Sequence, residues 1–130
     1  MMSARDMADA AGLPLKGELG RRLRRRRETL ELGLRETAAR VGISPTYLSR
    51  IETHAERHLP AEHLVQSLAR VLKDDFDTLM QLAGRVPSDV EEVVLSDIAW
   101  PKLLRKIRAD RVTSEELFSW LERRKRTRGC

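Results

Sequence analysis

The sequence predicts an all-α protein. Apolar residues recur at helical spacing along nearly all of its 130 residues. Aromatic residues make up only 4% of the chain and runs of β-branched residues are scarce, so the expected core consists of leucine, isoleucine, valine and alanine side chains. This length accommodates one compact domain and a shorter appended segment.

Composition excludes several classes of protein. The one cysteine, Cys130, cannot form a disulfide within the chain, which fits a reducing compartment. No run of 18 apolar residues is present, and the N-terminal stretch lacks the apolar core of a secretory signal. We therefore expect a cytoplasmic protein with no membrane association.

The chain begins with a predicted arm and a first helix. Residues 1–16 contain Gly12 and Pro14 and no sustained amphipathic pattern, which predicts a flexible arm. The first helix is expected over residues 17–32, with three leucines on one face. Six arginines between residues 21 and 27 surround that helix, and they account for much of the net charge of +5.

Residues 34–52 predict two short helices joined by a tight turn at Gly42. Ser44 is suited to cap the second helix, and Pro45 fits its first position because the missing N–H would have no partner there. Apolar residues of both helices can converge between them. These residues are Ala38, Val41, Ile43, Leu48 and Ile51.

This spacing is that of a helix-turn-helix. Residues 44–52 read Ser-Pro-Thr-Tyr-Leu-Ser-Arg-Ile-Glu, and the chain over residues 19–84 resembles the phage-repressor-like, xenobiotic-response-element (Cro/C1-type) family of bacterial regulators. The resemblance implies a five-helix DNA-binding domain at residues 17–84. Its last two helices are expected at residues 60–74 and 75–84, where Leu64, Leu68, Phe76 and Met80 belong to the core.

The resemblance also implies which residues contact double-stranded DNA. In this fold the second helix of the motif enters the major groove, so its outward residues are candidates for reading bases. Arg50 can bind guanine, although contact with phosphate or with the Glu52 side is an alternative. The base-reading candidates are Ser44, Pro45, Thr46, Ser49, Arg50 and Thr53, and the phosphate-binding candidates are Arg21, Arg22, Arg35 and Tyr47. A minor-groove role for residues 1–16, and simple packing by Tyr47, are further alternatives.

Three positions of the first helix and its turn can be compared with the family pattern: Arg27 follows it, and Arg26 and Glu31 depart from it. The resemblance pairs Arg27 with Glu52 in a structural ion pair between the first and third helices. Arg26 lies where relatives carry an apolar residue, so we expect a rotated helix or an Arg26 that reaches solvent or an acidic neighbour. Glu31 replaces the usual Gly or Asn, and Gly33 is expected to supply the backbone freedom instead.

Residues 85–122 predict three short amphipathic helices. Their starts are marked by capping boxes of Ser88 with Glu91 and of Thr113 with Glu116, and by Pro101. Helices this short cannot bury their apolar faces alone, so they must pack on their own domain or on another chain. The expected interface residues are Trp100, Leu103, Leu104, Ile107, Leu117, Trp120 and Leu121. Residues 123–130 are expected to form a basic, frayed tail.

No catalytic arrangement, cofactor motif or metal-ligand set emerges. His54 and His58 have no third ligand at convincing spacing. The sequence therefore predicts a non-enzymatic, sequence-specific DNA-binding transcriptional regulator that binds a palindromic operator as a homodimer, and the resemblance implies that it is a repressor. The alternatives are an antitoxin that also binds a toxin through the C-terminal helices, a repressor whose C-terminal helices dock a regulatory protein, and an architectural binder without sequence preference.

Overall fold

The computed structural model describes residues 17–128, so the predicted arm at residues 1–16 and Cys130 lie outside the described residues. All regular structure within 17–128 is helical, which confirms the all-α prediction. The helices are α1 (Glu18–Thr29), α2 (Leu34–Val41), α3 (Pro45–Glu52), α4 (Glu62–Val71), α5 (Phe76–Leu82), α6 (Ser88–Ser96), α7 (Ala99–Ala109) and α8 (Ser114–Arg128). The chain divides into two compact units between Ser88 and Asp89.

The first unit is a five-helix domain around one apolar core. Helix α1 packs on α3 and α5, α2 packs on α3 and α4, and α4 packs on α5. Aliphatic side chains and one methionine fill the centre, while Phe76 and Tyr47 are partly buried at its edge. The buried core residues are Leu23, Ala38, Leu48, Ile51, Leu64, Val65, Leu68, Ala69, Leu72, Leu79, Met80 and Ala83.

Helices α1 and α3 approach each other through Gly20. A Cβ atom at this buried position would lie 2.3 Å from the carbonyl oxygen of Glu52 and 2.6 Å from that of Ile51. Both neighbours are backbone atoms, so the helices could not keep this distance with any other residue. The helical pattern of the first helix gives no sign of this requirement.

The first helix ends earlier than expected, at Thr29. Glu31 adopts a positive φ of 57°, and the N–H groups of Glu31 and Leu32 donate to the carbonyls of Glu28 and Arg27. This closing turn satisfies the helix C-terminus in the way that a glycine usually does. The expectation for Gly33 is therefore wrong, because Gly33 has a φ of −71° in extended backbone before α2.

The start of α3 is formed as the sequence predicts. The hydroxyl of Ser44 accepts a hydrogen bond from the backbone N–H of Tyr47 at 3.1 Å, and Pro45 is the first helical residue. Gly42 takes the left-handed turn between α2 and α3, with φ of 81°. A local cap and a local turn therefore define where the second helix of the motif begins.

Arg26 has a contact that neither sequence-based expectation included. Its Nη2 donates to the carbonyls of Leu72 at 3.0 Å and Lys73 at 2.8 Å, beyond the end of α4. These carbonyls have no helical partner, and a cation there also interacts favourably with the helix dipole. Arg26 thus fastens α1 to the C-terminus of α4.

The segment from Ser88 to Arg128 departs from the sequence-based prediction in three details. The N–H of Ser88 donates to Glu62 at 2.8 Å, so the predicted capping box with Glu91 is wrong. Helix α7 begins at Ala99, two residues before Pro101. Helix α8 continues to Arg128, so residues 123–128 are helical and not frayed. The reciprocal bonds between Thr113 and Glu116, at 3.3 and 3.1 Å, confirm the other capping box.

Helices α6 to α8 leave large apolar side chains in contact with solvent. No side chain between residues 89 and 128 is fully buried, and Trp100 and Trp120 are 40% and 50% exposed. The other large exposed apolar residues are Val90, Val93, Leu95, Ile98, Leu103, Leu104, Phe118 and Leu121. Within residues 17–128 no helix has the length and apolar character needed to cross a membrane.

Candidate nucleic-acid interface

The outward face of α3 presents polar side chains to solvent. Thr46 and Arg50 are exposed within the helix, and Ser44 is exposed at its start. Pro45 and Ser49 are half-buried, and Thr53 follows the last helical residue. The hydroxyl of Thr53 donates to the carbonyl of Ser49 at 2.9 Å, which leaves its oxygen free to accept. The structure thus brings all six base-reading candidates onto one short helix and its two ends.

The C-terminal end of α3 is fixed by the Arg27–Glu52 ion pair. Nε and Nη2 of Arg27 donate to the two carboxylate oxygens of Glu52 at 2.9 Å each, and Nη1 donates to the carbonyl of Leu32. These hydrogen bonds to Glu52 raise the pKa of Arg27. The Glu52 side chain is only 6% exposed, so the bidentate contact compensates the burial of its charge.

Arg22 forms a second bidentate pair, which the sequence did not reveal. Its Nε and Nη2 donate to the carboxylate of Asp74 at 2.8 and 2.7 Å. This hydrogen bonding lowers the pKa of Asp74 and raises that of Arg22. Because the side chain of Asp74 is 6% exposed, its charge depends on this partner. Nε and Nη2 of Arg22 are thus engaged within the fold, and its expected contact with phosphate stays a prediction.

Other arginines of the first unit remain on the surface. Arg21 contacts Glu18 and Arg40 contacts Glu36 in exposed pairs one helical turn apart. Exposed pairs of this kind contribute little stability, so phosphate can compete for these arginines. Arg35 is also exposed, at the start of α2. Tyr47, by contrast, packs partly against the core.

Arg50 faces an acidic residue that sequence reasoning missed. Its Nε lies 3.5 Å from Oε2 of Glu56, in the loop after α3. The acidic neighbour expected beside Arg50 was Glu52, but Glu52 is occupied by Arg27. Five residues lie between Arg50 and Glu56 and the helix ends among them, so helical spacing could not identify this contact.

The loop that carries Glu56 is held against the domain. Arg85 donates to the carbonyls of Pro60 at 2.6 Å and Leu59 at 3.2 Å. The loop, α1, α3 and α5 together line an open cavity of about 530 Å³ whose wall includes Arg50 and Glu56. Within residues 17–128, no three His, Cys, Asp or Glu side chains cluster closely enough to bind a metal ion.

A capped helix across a tight turn from its partner, with polar side chains directed outward, defines a helix-turn-helix DNA-binding protein. The family model described as "Helix-turn-helix domain" matches residues 18–93, more than half of the chain. The chain therefore belongs to the helix-turn-helix domain family, and it is a DNA-binding transcriptional regulator.

The other comparisons are with individual proteins. A solved structure titled SinR protein/SinI protein complex shares 23% sequence identity with this chain, with a TM-score of 0.45. The similarity covers 86% of this chain and 99% of the other. No curated protein matches.

Proposed function

We propose that this protein is a non-enzymatic repressor that binds a palindromic operator as a homodimer, with α3 reading bases in the major groove. The observation that carries the proposal is the construction of α3. Ser44 caps its start, the Arg27–Glu52 pair holds its end, and Arg50 stands exposed on its outward face. A helix held in this way loses little conformational entropy on binding DNA.

Charge supports the division of roles within the first unit. The basic excess lies in residues 18–58, whereas residues 59–84 carry net negative charge. Phosphate therefore favours the side formed by α1 to α3. We assign backbone contacts to Arg21 and Arg35, and base contacts to Thr46, Ser49 and Arg50, with Ser44, Pro45 and Thr53 at the edges.

The second unit supports dimerisation. Its exposed tryptophans and leucines form an apolar surface of the kind that protein interfaces bury. Residues 85–122 are thus proposed to join two copies. A two-fold symmetric dimer would place two α3 helices about 34 Å apart, one turn of B-DNA, which requires an inverted repeat in the operator.

The same apolar surface supports a second candidate. An antitoxin would bind its promoter through α3 and a toxin through α6 to α8, and a repressor could dock a regulatory protein there. Co-purification of a second protein at a fixed ratio from the native host, together with a monomeric isolated chain, would favour these functions over the homodimer.

Selection of bound duplexes from a random DNA pool at about physiological salt tests the proposal, because phosphate attraction alone is weak under those conditions. We expect enrichment of an inverted repeat and, for Arg50→Ala, relaxed preference at one position in each half-site. Arg40→Ala is the matched control, since it removes an exposed arginine from α2 and should leave the selected sequence unchanged. Recovery of no preferred sequence by the wild-type protein would refute the proposal.

A further inference from the structure

Glu56 is a partly buried carboxylate in the loop after α3. Its Oε1 accepts a hydrogen bond from the backbone N–H of Arg57 at 3.1 Å, and its Oε2 faces Nε of Arg50 at 3.5 Å. The Glu56 side chain is 18% exposed, whereas that of Arg50 is 53% exposed. The glutamate is therefore the more buried partner of this pair, and its carboxylate faces the Nε edge of the Arg50 guanidinium.

Because Glu56 contacts Arg50 at Nε, the position of this contact determines which N–H groups of Arg50 can still bind DNA. A guanidinium carries five N–H groups in a rigid fork, and guanine is bound by two of them together, at O6 and N7. Because Glu56 faces Nε, the two terminal amino groups of Arg50 are left for another acceptor.

The charge of Glu56 also discriminates between the two ligands open to Arg50. A carboxylate beside the arginine repels a phosphate, which is anionic, but affects the neutral edge of a guanine much less. Specificity can arise from such a repulsive element against the wrong partner, at some cost in total affinity. The pair is thus built to favour a base contact over a backbone contact.

We propose that Glu56 is a specificity-determining residue that positions Arg50 end-on for guanine and disfavours its contact with phosphate. This inference rests on the proposed function, because it requires α3 to lie in the major groove. Glu56 itself touches no base in this account and acts through Arg50 alone.

The test is Glu56→Gln, which keeps the shape of the side chain and removes its charge. The readout is discrimination, the ratio of affinities for the selected duplex and for the same duplex with guanine replaced by adenine at the position read by Arg50. We expect discrimination to fall about fivefold to tenfold. Affinity for unrelated DNA should stay equal or rise, since a negative charge has been removed.

The matched control is Glu36→Gln. Glu36 pairs with Arg40 at 2.7 Å on the surface of α2, so its loss removes the same charge without affecting Arg50. In an Arg50→Ala background, Glu56→Gln should no longer change discrimination, a coupling that a merely structural role would not produce. Thermal unfolding checks that each variant folds. If Glu56→Gln does not fold, Glu56→Asp, whose shorter side chain withdraws the carboxylate from Nε, provides the same comparison.

The two possible failures are distinguishable. Absence of any sequence preference in the wild-type protein would overturn the proposed function itself. If the wild-type protein discriminates and Arg50→Ala does not, but Glu56→Gln discriminates as well as wild type, only the role of Glu56 is refuted. Higher discrimination by Glu56→Gln would also refute it, because Glu56 would then compete with DNA for Arg50.

Discussion

At the scale of single residues, the Arg22–Asp74 pair shows how charge stabilises the first unit. Asp74 is nearly buried, and its pKa is lowered chiefly by hydrogen bonds from Arg22. A carboxyl whose pKa is lower when folded contributes stability above its unfolded pKa, near 3.8, and loses that contribution as pH falls through the folded value. The pair is therefore expected to contribute to the free energy of unfolding at neutral pH and to lose that contribution in acid.

Substitution of Asp74 tests this pH dependence. We expect Asp74→Asn to lower the free energy of unfolding by about 1 to 2 kcal/mol near neutral pH, and the deficit to shrink below about pH 4. Urea unfolding followed by circular dichroism at several pH values measures both effects. Asp77→Asn, at an exposed position of α5, is the control and should change little. A deficit that stays constant down to about pH 3 would contradict the assignment.

Glu31 and Gly42 occupy left-handed backbone with different residue types. Their φ values are 57° and 81°, and a side chain is disfavoured in this region. We expect Glu31→Gly to raise the free energy of unfolding by about 0.5 to 1 kcal/mol and Gly42→Ala to lower it by about 1 kcal/mol. Chemical denaturation of both variants measures the two values. Changes of the same sign would refute the backbone explanation.

At the scale of helices, α3 depends on the close approach of α1 at Gly20. A methyl group there would overlap two backbone carbonyls of α3, so the helices must separate. We expect Gly20→Ala to cost about 2 to 3 kcal/mol of stability, and to weaken DNA binding where the fold survives. Gly33→Ala is the control, because a Cβ at Gly33 meets no atom within 4 Å. Equal stability of the two variants in thermal unfolding would show that the approach is dispensable.

The helices themselves could be predicted from sequence wherever their signals are local. The start of α3 is an example, since Ser44 and Pro45 determine it within three residues of chain. The contacts of Arg22 and Arg26 could not be predicted, because their partners are 52 and 46 residues away and no residue pattern indicates them. The sequence marks Glu31 as a departure from the family pattern, but it does not show that Glu31 itself adopts the positive φ that was expected of Gly33.

In the candidate site, too, the features with local sequence signals could be predicted and the contacts between distant segments could not. The exposed residues of α3 follow from helical spacing once the motif is recognised, and the resemblance supplied the Arg27–Glu52 pair. Glu56 lies in an irregular loop, where spacing carries no information about which side chains meet. The local sequence therefore predicts the helix that presents the site, whereas the contact between Glu56 and Arg50 could be identified only from the folded structure.

At the scale of the whole molecule, the second unit is proposed to determine oligomeric state. Leu104 is 49% exposed on α7, and a charge in a buried interface is strongly destabilising. We expect Leu104→Glu to convert a dimer to a monomer in sedimentation equilibrium and to weaken binding to an inverted repeat at least tenfold, at roughly 1.4 kcal/mol per factor of ten.

The control for this substitution is Gln66→Glu, which places the same charge at an exposed position of α4 in the first unit, outside residues 85–122, and should leave the dimer intact. Affinity for a single half-site should be similar for both variants, because neither touches α3. A wild-type protein that sediments as a monomer at concentrations where it binds the repeat cooperatively would contradict the interface proposed for residues 85–122.

If α3 reads base pairs from the major groove through Arg50, binding depends on the major-groove edge of the contacted guanine. The most direct measurement is the affinity for a selected duplex whose contacted guanine is replaced by 7-deazaguanine, which lacks the major-groove acceptor N7. We predict that 7-deazaguanine weakens binding of the wild-type protein about tenfold. The Arg50→Ala variant should bind the guanine and 7-deazaguanine duplexes equally well. Inosine at the same position, which removes only the minor-groove amino group, should change little. Sensitivity to inosine with indifference to 7-deazaguanine would show that this guanine is not read from the major groove.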